Sequence, residues 1–301
     1  MLGCYNLSLQ GRSHILSGTV CQDSSRIEQL ECGWIVAVIA DGVGSAKQSD
    51  IGSDLAVNTV VDTVCEHCPQ EWEVDTLTGL LRLSYETALK KITEQAFEDE
   101  NLLPDYDTTL TAAIYNGNQL VFAHVGDGGI ITLSGNGDFS TLTVAQKGEE
   151  FNTVSPLRSK SAWVFGSSEH EICAFAMMTD GLYDMVCPWL LSQQEQKIYI
   201  NYIRPFVDRN LLKADTKEDF EHIKREAEAF LNSEGNAGIT DDKTIAVVIN
   251  TDIVPADKAE EYYSEPDWDL LQSENKKKLY SAKNDAKEGV ISDAEVNNIR
   301  R

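Results

Sequence analysis

The chain is poor in positive charge. Its 301 residues include 25 Lys and Arg against 49 Asp and Glu, a net charge of −24. Binding to a phosphate backbone or an anionic membrane needs clustered basic side chains, so those partners are excluded. Long apolar runs are also missing. None approaches the ~18–20 residues that cross a bilayer. No charged-then-apolar leader opens the chain either. The expectation is a protein that is neither secreted nor membrane-bound. The seven cysteines are odd in number and scattered. Cys65 and Cys68 form C-x-x-C around His67, late in an expected helix and without a second pair, which argues against zinc. Reduced thiols in a cytoplasmic protein are the plain reading. A hydrophobic content of 42% with 25% charged residues is that of a globular chain with a sizeable core.

What is present is a set of apolar runs that meet aspartate. Trp34 to Gly44 reads WIVAVIADGVG, a buried strand that stops at Asp41-Gly42. Residues 3–9, 108–115, 119–125, 129–133, 172–178 and 243–250 read as further strands, with a hairpin signal at Asn116-Gly117-Asn118 and a turn at Gly126-Asp127-Gly128. Residues 11–18 read as a loop carrying His14. Ser49-Asp50 and Asp75 are expected helix caps. The helix after Asp75 shows Leu77, Leu80, Leu81, Tyr85, Ala88, Ile92 and Phe97 at spacings of three and four. Residues 145–170 read as a long loop or flap, and helices are expected at about 192–213 and 217–232. The domain reading is a unit over 1–254 and a charged tail over 255–301, partly helical or disordered.

Asp41 and Asp180 each follow an apolar strand and precede Gly. Asp127 lies between two glycines, Asp241 precedes the last strand, and Asp23 sits among small residues. One reading is a set of unrelated turn aspartates, since Asp-Gly is a common turn pair. The other is convergence at the ends of a shared sheet system. Converging carboxylates repel one another, and few Lys or Arg neighbour them in sequence. Hard divalent cations with oxygen ligands, Mg²⁺ or Mn²⁺, would relieve that repulsion.

In order and spacing the motifs resemble the metal-dependent serine/threonine protein phosphatases of type 2C. Gln22-Asp23 is similar to the first motif, DGVGS at 41–45 to the Asp-Gly-x-Gly hallmark and DTTLT at 107–111 to Gly-Thr-Thr-Leu. Gly126-Asp127-Gly128 is similar to Gly-Asp-Ser, TDGLYD at 179–184 to Ser-Asp-Gly-Leu-x-Asp, and DDKT at 241–244 to the closing motif. The compact first motif and the SAKQSD stretch look more like bacterial members. The resemblance implies an α+β fold, a four-layer αββα sandwich of two antiparallel sheets flanked by helices. It implies hydrolysis of phosphoserine and phosphothreonine in proteins by a metal-bridged water, with Asp41 and Asp23 as catalytic residues. It implies two Mn²⁺ or Mg²⁺ ions, and a third in some members. Asp41 would bridge the pair, Gly42 would offer its carbonyl, Asp180 and Asp241 would ligate the first ion, and Asp23 would act through metal-bound water. Asp127 would help hold the third ion. Asp242 is the neighbour that competes with Asp241. The implied partners are a phosphorylated protein and a cognate serine/threonine kinase.

The chain departs from the family pattern at three points. Gly18 stands where members often carry a phosphate-gripping arginine, which leaves His14 or Arg12 as substitutes. Val43 stands where members often carry His or Met, and Gly128 replaces Ser. The missing arginine keeps a rival open: a catalytically weak phosphatase-like module that binds a protein partner. A hydrolase of small phosphorylated molecules is a third reading. In the tail, Asn284 to Glu295 is similar to an EF-hand calcium loop, but Ala286 removes a ligand position, and a helix–turn–helix at Gly289 is the plainer reading. The Lys276-Lys277-Lys278 run reads as a solvated helix face.

Overall fold

The computed structural model describes residues 1–147 and 154–287. Strand β3 (Ile35–Ala40) is buried along its whole length because both its faces are covered. Side chains alternate across a strand. Ile35, Ala37 and Ile39 therefore enter one core while Val36, Val38 and Ala40 enter another. The first sheet runs β2 (Ser24–Gln29), β3, β4 (Leu110–Tyr115), β5 (Leu120–Val125), β8 (Val164–Ser167). The second runs β1 (Leu2–Leu9), β10 (Lys243–Asn250), β9 (Ile172–Met178), β6 (Gly129–Ser134), β7 (Phe139–Thr141). Every pairing is antiparallel. Between the sheets lie Ile39, Tyr115, Phe122, Ile130, Phe175, Met177 and Val248.

Helices cover the two outer faces. On the first sheet, α2 (Ser49–His67) and α3 (Val74–Glu98) bury Val57, Val60, Val61, Leu77, Leu81 and Tyr85. On the second, α4 (Asp180–Val186), α5 (Ile200–Val207) and α7 (Lys217–Leu231) bury Leu182, Ile203, Phe206, Phe220 and Ile223. The result is the αββα sandwich the resemblance implies. No helix among the described residues is long and apolar enough to cross a membrane.

Several local expectations change. Residues 12–17 form a short helix, α1 (Arg12–Ser17), ended by Gly18 at φ 75°. Neither Ser49-Asp50 nor Asp75 caps through its side chain. Asp50 and Asp75 lie instead in the first turns of α2 and α3, where negative charge suits the helix dipole. Phe97 is exposed rather than on the packed face of α3. The helix expected at 192–213 is broken into α5 and α6 (Arg209–Leu212), because Asp208 ends one and accepts the Asn210 N–H at the start of the other. The flap contains β8, and strands β2 and β7 carry too few apolar residues to be read from the pattern.

The tail is docked as far as it is described. Ala256 N–H donates to Gly135 O at 2.9 Å, and Phe139 N–H donates to Tyr262 Oη at 2.8 Å. The Arg204 guanidinium lies 3.9 Å over the Tyr263 ring, and Trp268 meets Tyr199 edge-on at 5.1 Å. Helix α8 (Trp268–Lys287) follows, with Lys276, Lys277 and Lys278 exposed. Most of the EF-hand-like stretch at 284–295 lies outside the described residues.

Pairing registers bring one end of each sheet to the same place. Ser24 faces Ala40, Leu110 faces Val125, and Met178 faces both Gly129 and Ile245. Asp23, Asp41, Asp127, Asp180 and Asp241 all lie at or within three residues of these strand ends, which is what gathers them.

Candidate metal centre

Asp41, Asp127 and Asp180 each offer a carboxylate oxygen, and these oxygens lie within 4.8 Å of one another. At that separation two unit charges repel by ~1 kcal/mol in water and by several times that at a protein surface. The carboxyls register this. Burial, then the charges of Asp23, Asp180 and Asp127, push Asp41 well above the usual carboxylate range. Burial and Asp180 push Asp127 up to about 7. Burial and Asp241 raise Asp180. Asp23 is pushed up to about 8, chiefly by burial, with Asp242 and Asp180 adding to it. Oxygen-only donors that are costly to ionise together suit a hard divalent cation. The donor set fits Mn²⁺ or Mg²⁺.

The TTL stretch is a clamp on Asp41. Thr109 Oγ1 accepts the Asp41 N–H at 2.9 Å. The Asp41 carbonyl accepts Thr108 Oγ1–H at 2.9 Å and the Thr109 N–H at 2.8 Å. Three sequence-distant bonding groups thus fix the end of β3. Gly42 is needed for close approach: a Cβ there would stand 2.7 Å from both the Gln22 and the Ser49 carbonyl oxygens. The Gly128 departure has a similar cause, since a Cβ would lie 2.3 Å from Met178 O.

Asp23 and the Asp241-Asp242 pair are separated by their partners. Thr179 Oγ1–H donates to Asp23 Oδ2 at 2.9 Å. Asp242 is buried, and its carboxylate accepts Gly11 N–H at 2.6 Å, Gln22 N–H at 2.6 Å and His14 Nδ1 at 2.9 Å. It ties three loops together. Asp241 is exposed, and its Cβ lies 3.6 Å from where Gly181 would carry one, beside Asp180 at the start of α4.

The two substitutes for a phosphate-gripping arginine fare differently. His14 is drawn to Asp242, and Arg12 is exposed on α1. Val43 is half-buried, its N–H donating to Asp107 O at 2.9 Å. Sequence reasoning passed over Lys147, whose Nζ lies 2.7 Å from both Asp184 oxygens, and Arg158, whose Nε donates to Asp107 Oδ1 at 2.7 Å. The signal for Asp184 was in the TDGLYD motif, one helical turn after Asp180. Nothing local marked Lys147 or Arg158.

Residues 10–220 match the family model for protein phosphatase 2C. The chain is similar to serine/threonine-protein phosphatase 3 of Escherichia coli (strain K12), at 25% identity over 256 residues, covering 80% of this chain and 96% of the relative. A bacterial serine phosphatase superposes with a TM-score of 0.58 at 14% identity, over 86% of this chain and 100% of that one. The phosphatase Stp1 of Staphylococcus aureus superposes with a TM-score of 0.58 at 13% identity, over 83% and 95%. The catalytic domain of the phosphatase PstP, solved with two manganese ions, superposes with a TM-score of 0.54 at 18% identity, over 82% and 97%. The structural likenesses speak for the fold.

Proposed function

The chain belongs to the protein phosphatase 2C family, and from that membership we propose how its own residues serve the metal-dependent hydrolysis of phosphoserine and phosphothreonine in proteins. The observation that carries the reading is the meeting of the Asp41, Asp127 and Asp180 carboxylates within 4.8 Å at the end of the sandwich. Asp41 would bridge two Mn²⁺ or Mg²⁺ ions, as many as the PstP structure holds. Gly42 O would lie on one of them. Asp180 and Asp241 would hold the first ion, Asp23 would act from the outer side, and Asp127 would serve a weaker third ion. Asp242 holds loops rather than metal in this reading, because Gly11, Gln22 and His14 already occupy its oxygens.

When bound, the ions would supply Lewis acidity toward water and the phosphoryl oxygens. The residues do the positioning. Thr108 and Thr109 hold the Asp41 backbone, so its carboxylate projects from a fixed strand end. Thr179 orients Asp23 through its Oδ2. The catalytic unit is 1–254, with 255–301 as an appended segment. The substrates are phosphoproteins, so a serine/threonine kinase acts on the same proteins. Seven free thiols favour a cytoplasmic location.

The test is release of phosphate from a phosphothreonine peptide. Release should require Mn²⁺ or Mg²⁺ and should vanish in Asp41→Asn and Asp180→Asn. Turnover that persists in EDTA would sink the metal-dependent reading.

A further inference from the structure

Lys147 has a fixed place beside the carboxylate cluster. Its neighbour Gln146 is tied twice to the residue before Asp127: Gln146 N–H donates to Gly126 O at 2.8 Å, and Gly126 N–H donates to Gln146 Oε1 at 3.3 Å. Gln146 Nε2 donates onward to Ala162 O at 2.7 Å. Lys147 itself bridges Val154 across the chain. From that anchored backbone the ammonium reaches Asp184, 2.7 Å from each carboxylate oxygen. Asp184 follows Asp180 by four residues on α4, so the two stand on one face, their Cβ atoms roughly 5–6 Å apart. The Lys147 charge accordingly bears on both Asp127 and Asp180 and opposes the effects that raise them.

This ion pair is half-exposed, and such pairs contribute little to stability. Its position is the informative part. In a chain of net charge −24, a phosphate dianion approaching an acidic cluster needs a cation at the rim. Gly18, the position at which the family pattern often has an arginine, is exposed and has no neighbour within 4 Å of a Cβ placed on it. Arg158 is engaged with Asp107 and His14 with Asp242. Arg12 has no hydrogen bond or ion pair to another described residue to orient it. An ammonium has three donors, and Asp184 can engage two of them.

We propose that Lys147, braced by Asp184, is the residue that grips the substrate phosphate, its third N–H donating to a peripheral oxygen of the phosphomonoester. The assignment rests on the phosphatase reading and names the phosphate contact of that same site.

The test uses the full chain loaded with Mn²⁺ and has two readouts, turnover of a phosphothreonine peptide and calorimetric binding of inorganic phosphate. In Lys147→Ala, KM and the phosphate Kd should each rise roughly tenfold, about 1.4 kcal/mol, while kcat changes by less than about threefold. Lys147→Arg, which keeps a donor and the charge, should recover most of the loss. Asp184→Asn should fall between them. KM and Kd within about twofold of the parent in Lys147→Ala, with an unchanged thermal midpoint, would overturn the assignment. Failure of the phosphatase reading looks different: the parent shows no turnover with Mn²⁺, while weaker phosphate binding in Lys147→Ala still supports the grip. A parent that binds no phosphate overturns both.

Discussion

Thr179 and Asp23 lie 156 residues apart in sequence and 2.9 Å apart in the fold, the threonine hydroxyl donating to the carboxylate. Thr179 Oγ1 also accepts the Thr244 N–H at 3.2 Å. One hydroxyl therefore joins the starts of β2, α4 and β10 at the carboxylate end of the sandwich. Thr179→Val keeps the shape and removes both bonds. It should destabilise the protein by about 1–3 kcal/mol, the cost of leaving buried polar groups unpaired. Urea unfolding in EDTA measures this, and a change below about 0.5 kcal/mol would show that the contact carries no load.

The carboxylate cluster stores repulsion in the metal-free protein. Asp180→Asn removes one charge from beside Asp41, Asp127 and Asp241. The variant should lose Mn²⁺-dependent activity yet melt higher than the parent in EDTA at pH 8. A lower midpoint in the variant would mean that hydrogen bonding by Asp180 outweighs the repulsion it generates.

The pH dependence of metal-free stability follows from Asp23, at about 8, and Asp127, at about 7, both against an ordinary value of 3.8. The folded state holds protons that the unfolded state has already released, so stability falls as pH rises through this range. His124 acts in the opposite sense. Burial lowers it to about 4, so its contribution is lost as pH falls from 6.5 toward 4. Between pH 6.5 and 8 the aspartates act alone. Thermal midpoints in EDTA should fall across that interval, and Mn²⁺ affinity should rise, because metal displaces those protons. Midpoints that climb from pH 6.5 to 8 would contradict the burial of charge described for the cluster.

Two neighbouring glycines should respond differently to alanine. Gly42→Ala places a methyl 2.7 Å from two backbone oxygens, which cannot yield as a side-chain tip can. It should cost roughly 1–3 kcal/mol, in the range for overpacking, and impair activity by shifting Asp41. Gly44→Ala meets nothing closer than Gln22 Oε1 at 4.0 Å and should be close to neutral. Equal denaturation midpoints for the two variants would count against the tight approach at Gly42.

Much of the fold was legible because the strands bury both faces. β3, β4, β5, β9 and β10 are continuous apolar runs ended by Gly, Asp or Asn. Strand β2 was not legible, since SSRIEQ lies at a sheet edge and buries little. Helix α1 escaped because RSHILS leaves Ile15 and Leu16 exposed and so shows no packed face. The 255–268 segment looked like a polar tail, yet Tyr262, Tyr263 and Trp268 are each partnered. Scattered aromatic residues without periodicity do not announce what they dock on.

By itself, the sequence determined which residues could supply oxygen ligands and in what order they occur. Asp beside Gly at the end of an apolar run is a local pattern, written in consecutive residues. Only the tertiary structure decided how those aspartates divide. Asp241 and Asp242 are adjacent and chemically identical. One is left at the surface beside Asp180, while the other is enclosed by the Gly11 and Gln22 amides and by His14. Which partner Lys147 and His14 each meet, Asp184 and Asp242, is of the same kind. It depends on which long-range hydrogen bonds hold each loop, and such bonds form between residues that have no relation in sequence.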